Sequence, residues 1–119
     1  SPHDTAAAYA ALQVLQEEGP ILMKTLREHT RFMREGLHTL KLPVLPGITP
    51  LIPIIVGSVE RAAAIDAFLK ERGILLSAIR PPSVPMGTAR LRLTLSAAHT
   101  KPQLQQVLSL LKEAWQQIP

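Results

Sequence analysis

Three arginines, Arg80, Arg90 and Arg92, gather around a proline-rich stretch that also carries Ser83, within the segment Ser77–His99 (SAIRPPSVPMGTARLRLTLSAAH). If residues 89–95 form a strand, alternation sends Leu91, Leu93 and Leu95 to one face and Arg90, Arg92 and Thr94 to the other. The two strand guanidiniums then stand about 6.5 to 7 Å apart. An arginine keeps its charge and is costly to bury unpaired, so this face must meet water, acidic side chains or an anionic ligand. The planar guanidinium fork matches a carboxylate or phosphate through two parallel hydrogen bonds, which makes oxyanion recognition the chemistry to test. Alternation does not rank Arg90 against Arg92. Pro81, Pro82 and Pro85 fix φ at three positions and Gly87 is permissive, so the turn holds Arg80 and Ser83 rigidly beside the strand. A preorganised binding wall needs that stiffness. A purely structural turn would have the same composition.

Nothing else in the chain completes an active site. There is no nucleophile–base pair, no paired carboxylates and no glycine-rich phosphate cradle, so the spacing supports a binding wall without catalytic residues. Cysteine is absent, which excludes thiolate chemistry and disulfides. The four histidines, His3, His29, His38 and His99, lie far apart and show no metal-ligand spacing. The formal charge of +4, from 13 Lys and Arg against 9 Asp and Glu, is scattered, and aromatics make up 3% of the chain. A nucleic-acid surface would want a basic stripe with stacking aromatics, so no nucleic-acid partner is expected. The longest apolar run, Leu51–Val56, is far short of a membrane span and contains Pro53. With no signal pattern either, the expected location is cytoplasmic, with no membrane partner.

The elements that must position the arginines follow from periodicity and caps. At 119 residues there is room for one compact domain. Asp4 is an N-cap candidate for an alanine-rich helix over Thr5–Glu17, stopped at Gly19. Its small-residue surface reads either as high helix propensity or as a docking face. Pro20 suits the first turn of a second helix to about Leu40, with Leu22, Leu26, His29, Met33, Leu37 and Leu40 on one stripe. On that stripe His29 reads as a hydrogen-bonded core-edge residue, while Lys24, Arg27, Arg31 and Arg34 read as the solvated face. Pro43, Pro46, Gly47 and Pro50 make a linker before a strand over Leu51–Val56, which Pro53 places at an edge or a bulge. Ser58 caps a helix over Val59–Arg72 ended by Gly73, followed by strands over Ile74–Ile79 and Ala89–Leu95. Thr100 and Gln103 form a capping box for a last helix, whose stripe includes Trp115 as a core anchor. The order α-α-β-α-β-β-α predicts a two-layer α+β fold: a small antiparallel or mixed sheet of three to four strands with helices on one face. Residues 1–41 form the leading helices and 42–119 the β-α-β-β-α core of a single domain.

The run AIRPPSVPMGTARLRLTLSAAH, residues 78–99, closely resembles the C-terminal signature of the α-oxoamine synthases, and TPLIPIIVG, residues 49–57, is similar to a strand of their small domain. These are pyridoxal-phosphate enzymes of the aspartate-aminotransferase fold that condense an amino acid with an acyl thioester and release carbon dioxide. Arg80-Pro81-Pro82 looks most like the branch that joins L-alanine to a pimeloyl thioester, on CoA or carrier protein, in biotin biosynthesis. Glycine-using branches of the glycine C-acetyltransferase or 5-aminolevulinate synthase type stay open as alternatives. So does a free-standing module for an anionic metabolite. Ile52 departs from the glutamine frequent in the family, without consequence for the chemistry. The chain opens Ser-Pro-His without an initiator Met, and the resemblance implies a C-terminal small domain, about the last third of such an enzyme. None of Lys24, Lys41, Lys70, Lys101 or Lys112 stands in the family's Ser/Thr-rich context for the Schiff-base lysine, which implies that cofactor and catalytic lysine belong to a missing large domain. Alone, the piece is expected to be inactive; intact, a homodimer. By position the resemblance puts Arg92 on the amino acid's carboxylate and Ser83 near substrate and cofactor. Arg80 extends this to the acyl donor's distal carboxylate or the CoA phosphates, whereas Arg90 is read as salt-bridged to a neighbour and His99 as structural.

Overall fold

The computed structural model of the chain describes residues 2–119, with side chains from residue 19 onward. Six elements follow in order: α1 (Pro2–Thr39), β1 (Leu51–Gly57), α2 (Val59–Glu71), β2 (Ser77–Ile79), β3 (Ala89–Thr94) and α3 (Lys101–Gln117). The first correction concerns α1, where one helix replaces the two predicted and Pro20 lies inside it. Proline disfavours helical geometry in the residue before it partly by clashing with that residue's Cβ. Here the preceding residue is Gly19, which has none. Asp4 and the alanine surface of residues 6–11 fall outside the described side chains.

The strands form one antiparallel sheet in the order β1-β3-β2, so the arginine-bearing strand is central. The Pro53 expectation holds because β1 lies at the edge. The Pro53 carbonyl accepts from Leu45 N–H at 3.0 Å and Ile55 N–H donates to Pro43 at 2.8 Å, so these residues turn their backbone groups away from β3. The missing proline N–H therefore subtracts nothing from the β1–β3 ladder. Val56 is an irregularity between Ile55 and Gly57, and Gly57 adopts φ 103°, which suits the absence of a Cβ.

The predicted strand over Ile74–Ile79 contracts to three residues for a local reason. Ser58 caps α2 by accepting from Arg61 N–H at 3.0 Å, and at the other end Gly73 turns left-handed. Gly73 N–H then donates to Lys70 at 3.0 Å and Ile74 N–H to Leu69 at 2.9 Å. These two bonds make a Schellman motif, which commits the backbone of Ile74 to the helix end. The capping box at Thr100 and Gln103 is observed as predicted.

All three helices pack on one face of the sheet, as the α+β expectation has it. The core joins Met33 and Leu37 of α1, Ile65 and Leu69 of α2, Leu104 and Leu111 of α3, and Ile52, Ile54, Leu91 and Leu93 of the sheet. Gly36 allows the close approach of α1 and α3: a Cβ there would stand 2.5 Å from Leu108 Cδ1. The α1 stripe is buried only from His29 onward, and Leu22 is exposed. Arg34 is also misread by the stripe. It is half-buried, and its fork reaches the carbonyls of Leu45 (3.1 Å), Thr49 (3.0 Å) and Leu51 (3.3 Å), tying the linker to α1.

Candidate anion-binding face

Along β3 the residues alternate as predicted: Ala89, Leu91 and Leu93 are buried, Arg92 and Thr94 exposed, and Arg90 intermediate. Because every helix packs on the leucine side, the arginine side is the open face of the sheet. Register gives each arginine its neighbours. Arg90 lies between Ile55 and Ile79, and Arg92 between Pro53 and Ser77. No strand residue and no residue of the 80–88 turn is acidic, so the face and the turn carry Arg80, Arg90 and Arg92 without an internal counter-charge.

The two strand arginines differ in what they hold. Arg90 Nε donates to the Thr88 carbonyl at 3.2 Å and Arg90 Nη2 to Thr88 Oγ1 at 3.2 Å. Its expected salt bridge is therefore not found among the described residues; the acceptors it meets are those of a residue two positions back, on the same face of the chain. Arg92 makes no side-chain hydrogen bond or ion pair among the described residues and keeps its full fork open. An exposed fork on a rigid central strand is suited to a carboxylate, with two parallel hydrogen bonds and little rearrangement.

Ser83 is exposed in the turn, and its N–H donates to the Arg80 carbonyl at 3.1 Å. The Pro81–Pro82 peptide is cis and Gly87 has φ 78°. Arg80 is not brought together with Arg92. It lines a cavity of about 330 Å³ between α2 and β2 with Ala62, Asp66, Lys70 and Ala78. In that cavity wall Lys70 pairs with Asp66 Oδ2 at 2.9 Å, while Asp66 Oδ1 is buried without a hydrogen-bond partner among the described residues. Thr88 was missed in the sequence, although its place two residues before Arg90 was a usable signal.

Both histidines singled out in the sequence converge on Ser96. His29 is 7% exposed and its Nδ1 donates to the Ser96 carbonyl at 3.1 Å. His99 Nδ1 accepts from Ser96 N–H at 3.0 Å. One ring thus carries its proton on Nδ1 and the other on Nε2. This clasp ties α1 and the start of α3 to the exit of β3. Among the described residues no group of three or more His, Asp or Glu could hold a metal, and no helix is long and apolar enough to cross a membrane.

Comparison with known proteins puts this face in a family setting. Over 118 residues the chain is 46% identical to the 8-amino-7-oxononanoate synthase of Stutzerimonas stutzeri, covering 99% of this chain and 30% of that protein. It therefore spans less than a third of the relative's length. Among solved structures it superposes on the serine palmitoyltransferase of Sphingomonas wittichii with TM-score 0.75 at 27% identity, covering 81% of this chain and 25% of that one. The serine palmitoyltransferase of S. paucimobilis, solved with bound PLP–myriocin, gives TM-score 0.73 at 26% identity over 78% of this chain and 24% of that one. These neighbours bear out the expected fold and pyridoxal phosphate as the cofactor of such enzymes. The open face does not fit that cofactor by itself, because no lysine lies in any strand or in the arginine-bearing turn. The class I and II aminotransferase model matches residues 2–111, and the chain belongs to that family.

Proposed function

We propose that this chain is the C-terminal small domain of an α-oxoamine synthase and supplies the wall that holds the amino-acid substrate by its carboxylate. The observation that carries the reading is Arg92: a solvent-facing guanidinium on the central strand, flanked by Pro53 and Ser77, with no partner among the described residues. Fixing the carboxylate at two points sets the orientation of the bonds at Cα, on which a choice between losing a proton and losing carbon dioxide depends. Pyridoxal phosphate supplies the electron sink for that chemistry, held outside this chain. The 46% identity to an 8-amino-7-oxononanoate synthase supports L-alanine and a pimeloyl thioester as substrates, with carbon dioxide lost and 8-amino-7-oxononanoate formed for biotin synthesis. Ser83 lies near the substrate in this reading, and Arg80 meets the distal anionic end of the acyl donor. The enzyme is cytoplasmic and works as a homodimer, residues 1–41 lead into the 42–119 core, and the chain alone is inactive.

The test is Arg92→Lys in the intact enzyme carrying this domain. Lysine keeps the charge and loses the fork. The expected loss is about 1.5 to 3 kcal/mol in kcat/KM for L-alanine. An unchanged kcat/KM removes Arg92 from the substrate.

A further inference from the structure

Two arginines share the open face, and the structure gives one of them a different task. We propose that Arg90 is a positioning residue that braces the proline turn 80–88 against the central strand through Thr88. The hydrogen bonds form a relay with a defined direction. Arg90 Nη2 donates to Thr88 Oγ1 at 3.2 Å, and that hydroxyl donates its single proton to the Pro85 carbonyl. Arg90 Nε holds the Thr88 carbonyl at 3.2 Å, while Thr88 N–H returns to Pro85 at 3.1 Å. A hydroxyl can accept and donate at once, which is what this position requires.

The brace matters because the turn has little else to hold it. Pro81, Pro82 and Pro85 have no N–H, and the backbone hydrogen bonds within it are Ser83 to Arg80 and Thr88 to Pro85. The stem of Arg90 lies in register between Ile55 and Ile79, half-buried, and its end is held on Thr88, the last residue of the turn. The relay holds Pro85 and Thr88 directly, and Arg80 and Ser83 share the same short turn, which gives the brace its meaning for catalysis only if the proposed function is right. The relay itself does not depend on that reading.

Amide exchange in the 119-residue chain tests the brace. Thr88→Val and Arg90→Met should each speed exchange of the Ser83 and Thr88 amides by about fivefold or more. The double variant should add nothing further, and Thr88→Ser, which keeps the hydroxyl, should exchange like the wild type. The amides of Leu91 and Leu93 in the ladder report whether each variant stays folded. Wild-type exchange of the turn in Arg90→Met, or a Thr88→Ser as disruptive as Thr88→Val, overturns the proposal. In the intact enzyme, Arg90→Met and Thr88→Val should lower kcat/KM for alanine by the same factor, roughly threefold to tenfold. If Arg90→Met alone raises KM while turn exchange is unchanged, Arg90 is a substrate ligand and the brace is wrong. If the exchange pattern holds while Arg92→Lys is silent, the brace stands and the substrate wall falls.

Discussion

Arg34, Arg61, Arg90 and Arg92 carry the same charge and end in four situations because different acceptors lie within reach of each fork. Arg34 gathers the carbonyls of the linker, and Arg61 lies 4.9 Å over the Trp115 ring while donating to the Ile118 carbonyl at 3.1 Å. Arg90 is held by Thr88; Arg92 alone of these four meets no acceptor among the described residues. From the sequence, strand alternation separated Arg90 and Arg92 from the leucines but treated them alike, since a period of two carries no information on partners. His29 shows how tightly residue-scale geometry can bind the fold. Its ring is buried and its proton meets the Ser96 carbonyl across 67 positions of sequence. His29→Leu keeps the bulk and removes this hydrogen bond, leaving the carbonyl with the His99 N–H at 3.2 Å, so urea unfolding should show a loss of about 0.5 to 1.5 kcal/mol. Wild-type stability would mean that the hydrogen bond contributes nothing net.

At the scale of elements, caps and breakers decide most outcomes, and they were legible because they act over a few residues. Ser58, Gly73 and the Thr100–Gln103 box did what their chemistry predicts. Pro20 did not, because a helix that has already formed on both sides can tolerate a missing N–H, and Gly19 relieves part of the clash. A proline in a helix interior is disfavoured by about 3 kcal/mol relative to alanine. Pro20→Ala should therefore raise helical circular dichroism and strengthen α1. An unchanged helical signal would show that the chain breaks there after all. The shortened β2 has the opposite origin. The hydrophobic run Ile74–Ile79 is long enough for a strand, but Ile74 donates its N–H to the end of α2.

For the whole molecule, the decisive feature is a small sheet covered on one side only. The covered side holds the core, and Leu91 sits at its centre with no exposure, in register between Ile54 and Ala78. Leu91→Ala should cost about 2 to 5 kcal/mol, a large part of the 5 to 15 kcal/mol by which domains of this size are stable. Thermal denaturation should show a strongly lowered, still cooperative transition; a shift of only a degree or two would mean that the core closes over the gap. The uncovered side carries the positive charge of Arg90 and Arg92, with no acidic residue on any strand to balance it. That asymmetry makes one face a stable core and leaves the other free to meet an anion.

Local chemistry is what the sequence determined by itself: the capped helices α2 and α3, the edge strand marked by Pro53, the leucine and arginine faces of β3, and the resemblance carried by residues 78–99. Each depends on neighbours a few positions apart, so a linear reading can reach it. Partner choice depended on contacts closed by folding, and only the tertiary structure decided it. It made β3 central, sent Arg80 towards Asp66 and Lys70 on α2, gave Arg90 to Thr88 and left Arg92 open. A guanidinium's role is fixed by the acceptor it reaches, and the acceptors were placed by the packing of the sheet and helices.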